Sequence, residues 1–218
     1  MRTTRDGYDE VAEQYAAMFE HDLAANPFDR AMLGVFSETV PTGGTVADIG
    51  CGPGRITAHL AWSGLHTFGI DLSPEMIRVA RSAHPDLHFE VGSMSELALA
   101  DGALAAIVAW YGIIHLTPQR LPDVIAEFAR VLVEGGQLLL AFQAADEPDD
   151  VVPYAHRVAP SFLWSPRRIE QRLEDGGFRV VARMTRRPAA DADWEHHGQA
   201  YLLAEKTSAS CPTGRRPA

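Results

Sequence analysis

Cysteine is scarce: 218 residues contain two, Cys51 and Cys211. The first sits in a glycine-rich turn and the second in a polar tail. A disulfide framework is therefore not expected, and a reducing cytoplasm is the expected setting. Metal-ligand spacing is lacking too. The nearest grouping is His196-His197, and adjacent residues on a strand point to opposite faces, so no metal site is expected. Long apolar runs are missing. Nothing approaches the roughly 18 residues of a membrane span, and residues 1–10 are polar and charged where a secretory signal would be apolar. Positive charge is in short supply, with 19 Lys+Arg against 29 Asp+Glu and a net charge of −10. An acidic surface repels phosphate backbones, which makes nucleic acid a poor partner and favours a small molecule. Arg167-Arg168, Arg183 and Arg186-Arg187 are the basic groupings inside the fold and read as solvated faces.

What the chain does contain is alternation. Apolar positions at helical spacing predict helices over 8–19 and 28–40, with Pro27 suited to a first turn. Pro41-Thr-Gly-Gly then breaks the chain. Short apolar runs at 45–49, 66–70, 87–91, 103–110 and 137–142 read as strands. Between them lie predicted helices at 56–63, 74–83 and 118–132, the second with a Ser73 cap and Pro74 at its first position. Strands alternating with helices imply βαβ units and a parallel sheet, so the fold class is α/β and Rossmann-like. Residues 143–164 read as an irregular loop containing the acidic run Asp146-Glu-Pro-Asp-Asp150, and loops of that length are usually functional or disordered. A helix to about 175 and two closing strands, 178–186 and 199–204, follow as an antiparallel pair. No repeat or second domain is evident. The expectation is one domain over 1–205, with residues 1–42 as a helical cap and 43–205 as the α/β core. A disordered tail is expected at 206–218.

The strongest local pattern is Val46-Ala-Asp-Ile-Gly-Cys-Gly-Pro-Gly-Arg55, a buried strand that ends in a bend and enters a helix. Gly50 and Gly52 let the backbone approach a ligand without an intervening β-carbon, and the helix start offers free N–H groups. Asp48, just before the bend, suits hydrogen bonds or a cationic ligand group. The dinucleotide fingerprint is G-x-G-x-x-G with pyrophosphate on the helix N-terminus. Here the spacing is G-x-G-x-G behind an acid, which disfavours pyrophosphate and suits an amino-acid zwitterion. The second pattern is Gly69-Ile-Asp-Leu72, a strand ending in Asp71, 21 residues after Gly50. A carboxylate there can take both ribose hydroxyls, as nicotinamide sites also do. Leu72 and Met76 are placed to pack on an adenine.

Together with Gly92-Ser-Met-Ser-Glu-Leu97 and Glu127-Phe-Ala-Arg-Val-Leu-Val-Glu-Gly-Gly136, these stretches resemble the class I S-adenosylmethionine (SAM)-dependent methyltransferases, in particular their small-molecule branch. Glu134 stands where that family usually has proline. The resemblance spans about residues 8–205. It implies a seven-stranded, mostly parallel sheet with an antiparallel last strand and helices on both faces. It also implies an N-terminal helical lid and SAM as cofactor, with S-adenosylhomocysteine as product. Asp48, Gly50 and Gly52 would hold the methionine part and Asp71 the ribose. Ser93 and Met94 would border the adenine, and Ala109 and Trp110 would lie beside the sulfonium. The helix around Tyr8 and Tyr15 resembles the family's lid helix. Those two tyrosines share a face, with Tyr15 expected over the cofactor and Tyr8 towards the acceptor. Arg30 is a candidate partner for the SAM carboxylate.

His115, in Trp110-Tyr-Gly-Ile-Ile-His-Leu116, is the candidate general base, because it follows a strand at the sheet edge where ligands bind and titrates near working pH. Orienting a loop or touching SAM is its alternative role. Tyr111, Tyr154 and Trp164 are the candidate acceptor-binding residues, with His156 and Phe162 in the same loop and His21 and Asp22 after the lid helix. The expected activity is methyl transfer to a small molecule through O, N or C. The competing readings are a SAM-binding protein that does not methylate and a nicotinamide oxidoreductase.

Overall fold

The computed structural model describes residues 2–145, 151–188 and 195–208. The acidic run 146–150 and the tail from 209 onward, with Cys211, lie outside the described residues. The chain opens with helices α1 (Arg2–Phe19), α2 (Asp22–Ala25) and α3 (Pro27–Thr39). The α/β unit follows: β1 (Thr45–Ile49), α4 (Arg55–Trp62), β2 (His66–Asp71), α5 (Pro74–Ala83), β3 (His88–Val91) and β4 (Leu104–Trp110). A 3-10 turn (Ile113–His115) leads to α6 (Leu121–Val131) and β5 (Leu132–Ala144). Then come β6 (Val151–Tyr154), β7 (Ser161–Trp164), α7 (Pro166–Asp175), β8 (Phe178–Arg186) and β9 (Gly198–Lys206).

One sheet organises the molecule. Its order is β3-β2-β1-β4-β5-β7-β6, and β9 lies antiparallel between β5 and β8. The pairs β1–β2, β2–β3, β1–β4 and β4–β5 are parallel. The chain winds outward from β1 to β3 and then returns to the other side of β1 with β4. The crevice between the ends of β1 and β4 is therefore the switch point at which ligands bind in open α/β sheets.

Alternating strand residues fill two cores. Ile49, Ile107, Leu138, Leu140 and Leu202 face α6 and α7, meeting Phe128 and Leu173. Val46, Val108, Leu139 and Leu203 face the other way, meeting Phe36 of α3 and Leu60 of α4. Burial on both faces explains why these strands read as continuous apolar runs. Helix α5 begins as the sequence predicts, with Pro74 in its first turn and the Ser73 hydroxyl accepting from the Met76 N–H at 3.0 Å. A cap of this kind contributes about 1 kcal/mol.

The α/β class, the parallel core and the antiparallel closing strand match the sequence reading, with three local differences. Residues 143–164 are not an irregular loop throughout: β6 and β7 form an antiparallel ribbon, joined to β5 at Ala144 opposite Trp164. The sheet therefore has nine strands among the described residues. Each ribbon strand is only four residues long, and Pro153 interrupts β6. Strand β5 begins at Leu132, because Gly135, at φ 73°, lets residues 133–136 bulge where a break was expected; pairing jumps from Leu104–Leu132 to Ala106–Gln137. Lys206 ends β9, and the Thr207 N–H bonds the Gly177 carbonyl at 2.9 Å, so order continues past the expected start of the tail.

Candidate functional site

Local backbone chemistry builds the floor of the crevice. After β1 the chain bends at Gly50, where φ is 81° and a β-carbon would come within 3.2 Å of the Gly112 Cα. The N–H groups of Gly50 and Cys51 both donate to the Ile70 carbonyl, at 2.7 and 3.1 Å, and tie the bend to β2. Asp71, the last residue of β2, accepts from the Gly52 N–H and the Ser73 N–H, each at 2.8 Å. Burial raises the pKa of its carboxyl, and these two bonds oppose the rise. Two fixed carboxylate oxygens thus stand at the mouth of a bare bend, each with a lone pair to spare.

A cavity of ≈ 130 Å³ lies over this floor. Gly50, Gly52 and Asp71 form one side, Leu72, Met76, Ser93 and Met94 another, and Trp110, Tyr111 and His115 a third, while Tyr8 and Tyr15 of α1 cover it. Clefts that hold small ligands are usually about 300–1,000 Å³. The volume here lies below that range, with α1 held over the cavity. The clasp is polar: the Ser73 hydroxyl donates to Asp9 at 2.6 Å and Arg78 meets Glu13 at 2.7 Å.

Five expected cofactor or acceptor residues lie off this wall, Tyr154 of β6 among them. Asp48 is fully buried beneath the bend. Its Oδ2 accepts from the Thr57 hydroxyl at 2.6 Å, while Oδ1 has no partner. Burial pushes this carboxyl up to about 7. Ala109 has no exposed surface, because its side chain faces the α6 core. The exposed Arg30 donates to the carbonyls of Leu23 and Ala24, and so caps α2. Trp164, 2% exposed, packs in the α6–α7 core. The orphaned Asp48 oxygen, the bare bend and the anchored Asp71 carboxylate fit a ligand that carries a cation and a ribose.

His115 stands at the rim. Its Nδ1 lies 3.1 Å from the Pro160 carbonyl, an acceptor only, so the ring proton sits on Nδ1. Its Nε2 then accepts the Tyr8 O–H at 2.8 Å. Burial lowers the imidazole pKa to about 4, and burial holds the Tyr8 phenol well above its usual range. The dyad is neutral at pH 7. Next to it, Tyr111 adopts φ 58°, the one positive value outside glycine among the described residues. Such a conformation costs of order 1–3 kcal/mol and is concentrated at functional sites.

A second chamber of ≈ 690 Å³ adjoins the first across Tyr8, Tyr15 and Tyr111, which line both. Tyr154, Asp22 and His156 line this chamber; His21 does not, and Phe162 packs against the α6–α7 core instead. Long-range pairs that local pattern does not reveal supply its polar groups. Arg186 makes a two-pronged bridge to Glu195 at 2.6 and 2.7 Å, and its Nε reaches the Tyr201 hydroxyl at 3.0 Å. That hydroxyl donates to Asp29, and Arg55 pairs with Asp22 at 3.3 Å. Two glutamines, Gln143 and Gln199, have buried carbonyl oxygens without donors. Leaving such an oxygen unpaired costs about 1–3 kcal/mol. These glutamines were visible as lone polar residues near the ends of apolar strands, but nothing local shows that they meet. Among the described residues no group of three or more His, Cys, Asp or Glu is placed to hold a metal ion, and no helix is long and apolar enough to cross a membrane.

Residues 46–136 match the family described as a methyltransferase domain. An O-methyltransferase of Penicillium expansum is 29% identical over 148 residues, covering 62% of this chain and 52% of that protein. The chain spans about half the length of the curated relatives it matches. Two solved structures share the fold. A putative methyltransferase of Haloferax volcanii, in complex with the Trm112 methyltransferase activator, superposes at TM-score 0.72 with 22% identity, over 94% of this chain and 98% of that one. The Burkholderia thailandensis 1,6-didemethyltoxoflavin-N1-methyltransferase, with 1,6-didemethyltoxoflavin and S-adenosylhomocysteine bound, superposes at 0.67 with 20% identity, over 90% of each chain.

Proposed function

We propose that this chain, which belongs to the class I SAM-dependent methyltransferases, transfers a methyl group to a small molecule seated in its larger chamber. The observation that carries the reading is the meeting of two chambers at Tyr8, Tyr15 and Tyr111, one of them floored by the glycine bend and Asp71. In this reading Asp71 binds the ribose hydroxyls, and Leu72, Met76, Ser93 and Met94 flank the adenine. Gly50 and Gly52 admit the methionyl part, whose ammonium the ionised Asp48 attracts from below. Tyr111 stands at the junction with Trp110 beside it in the smaller chamber, and Tyr15 closes the roof.

Bound SAM supplies a methyl group already activated on a sulfonium. Held by Asp71, Gly50 and Gly52, SAM would give that methyl to an acceptor O, N or C and leave as S-adenosylhomocysteine. What the protein must add is alignment, exclusion of water and a route for the acceptor's proton. His115 lines the smaller chamber and Tyr8 lines both. The proton therefore passes to the Tyr8 oxygen as the Tyr8 proton moves to His115 Nε2. With an imidazole pKa of about 4, protonating His115 at pH 7 costs about 4 kcal/mol, three units at 1.36. The proton thus moves only as the new bond forms.

The test is release of S-adenosylhomocysteine from SAM across a panel of small hydroxylated, amino and carbon-acid acceptors, comparing wild type with His115→Ala. The reading expects release by wild type, a slower turnover in the variant and unchanged SAM affinity. Tight SAM binding with no release for any acceptor would refute methyl transfer, and a fall in SAM affinity in the variant would make His115 a cofactor contact.

A further inference from the structure

We infer that Gln143 and Gln199 form the recognition site for the methyl acceptor, and that the acceptor is a neutral aromatic ring carrying an N–H or O–H donor. The inference rests on the methyl-transfer reading of the adjoining chamber and adds what that reading leaves open.

The two glutamines are register partners across β5 and β9. Residues directly opposite in an antiparallel pair project from the same face, so the amides are neighbours. They sit at the end of β5, the edge of the sheet where ligands bind, and both line the ≈ 690 Å³ chamber. Gln199, 2% exposed, donates its Nε2 to the His197 carbonyl at 2.8 Å, so its own carbonyl oxygen is the function left without a partner. The Gln143 carbonyl oxygen lacks a partner as well. Two unpartnered acceptors side by side call for a ligand that brings donors.

Charge in the chamber is balanced internally. The buried Asp29 and Glu195 share Arg186, and Asp22 is held by Arg55. Arg157, the remaining guanidinium, is exposed at the rim. A charged acceptor would have to displace one of the buried pairs, so a neutral one is favoured. The wall consists of rings. His156 meets His115 with centroids 5.4 Å apart, and Tyr154 meets His156 at 6.0 Å and His197 at 5.2 Å, all edge to face. Such a wall packs best against another ring.

The experiment uses the full chain at pH 7 and begins with a calorimetric titration of S-adenosylhomocysteine. The loaded protein is then titrated with three matched fluorescent probes: 2-naphthol, 2-methoxynaphthalene, which lacks the donor, and 6-hydroxy-2-naphthoate, which adds a charge. The expected result is that 2-naphthol binds about tenfold or more tightly than either relative, the value of one hydrogen bond. Gln199→Leu and Gln143→Leu should erase that preference while leaving S-adenosylhomocysteine affinity unchanged. Gln143 is only half-buried, so its variant keeps the test open if Gln199→Leu fails to fold. Equal or tighter binding of the naphthoate, a preference that survives both substitutions, or no binding of 2-naphthol to the loaded protein would overturn the inference and leave the cofactor reading standing. Absence of heat with S-adenosylhomocysteine would overturn both.

Discussion

Replacing Asp71 by alanine removes one carboxylate with two tasks. It accepts from the Gly52 and Ser73 N–H groups at 2.8 Å each, and it is the group proposed to bind the ribose. Losing the first task leaves two backbone donors beside a cavity that water can enter, so the stability cost falls near the lower end of the usual range, about 1–2 kcal/mol. Losing the second removes charge-assisted bonds to the ribose hydroxyls. The unliganded carboxylate is itself partly desolvated, so the net loss in binding is about 1.5–3 kcal/mol, roughly ten- to hundredfold in Kd. Asp71→Asn separates charge from shape. One face of the amide is a donor, and it must meet either the Gly52 or the Ser73 N–H, so asparagine should rescue neither task fully. The assay is calorimetry with S-adenosylhomocysteine, paired with urea unfolding of each variant. A folded Asp71→Ala protein whose affinity stays within about threefold of wild type would show that the ribose does not sit there, and the reasoning from the bend would be wrong.

Three further outcomes follow from the same geometry. The Asp48 carboxyl titrates at about 7 because it is buried, and a cation favours its ionised form. SAM affinity should therefore rise as pH increases from 6 to 8, with up to one proton released per ligand bound; titrations in buffers of different ionisation heat measure this, and a flat profile would remove Asp48 from the cation site. Tyr8→Phe deletes the hydroxyl that joins the larger chamber to His115 and should lower turnover by about a hundredfold, the scale of general acid–base assistance, while SAM affinity stays within about twofold; an equal loss of SAM affinity would make Tyr8 a cofactor contact. Gly54→Ala puts a β-carbon 2.7 Å from the buried Phe89 ring at a position with φ 85°, so overpacking and the left-handed conformation together should cost about 2–4 kcal/mol, visible as a lowered urea midpoint; an unchanged midpoint would show that Phe89 gives way freely.

Patterns short enough to read along the chain predicted their elements well. The run 45–49 and the Ser73-Pro74 cap required only alternation and one hydroxyl, and the structure holds both. Gly50, Gly52 and Asp71 were likewise legible, because bend and acid lie at strand ends within one βαβ unit. The failures share a cause. Arg30 looked free for a carboxylate because the sequence does not show that the nearby α2 carbonyls claim it. Trp164 looked like chamber wall because the register that turns it into the core depends on β7 meeting β5 at a single residue pair. Arg186, Glu195, Asp29 and Tyr201 form one buried network from segments up to 172 residues apart, and no local periodicity encodes such a meeting.

The bend between β1 and α4 is the proposed SAM site. Equilibrium dialysis of the purified chain against methyl-labelled SAM measures this without knowledge of any acceptor. Saturation at one SAM per chain, competed by S-adenosylhomocysteine and unaffected by NAD, is the result the geometry requires. A chain that remains folded and retains no label, or that gives the label up to NAD, would contradict it.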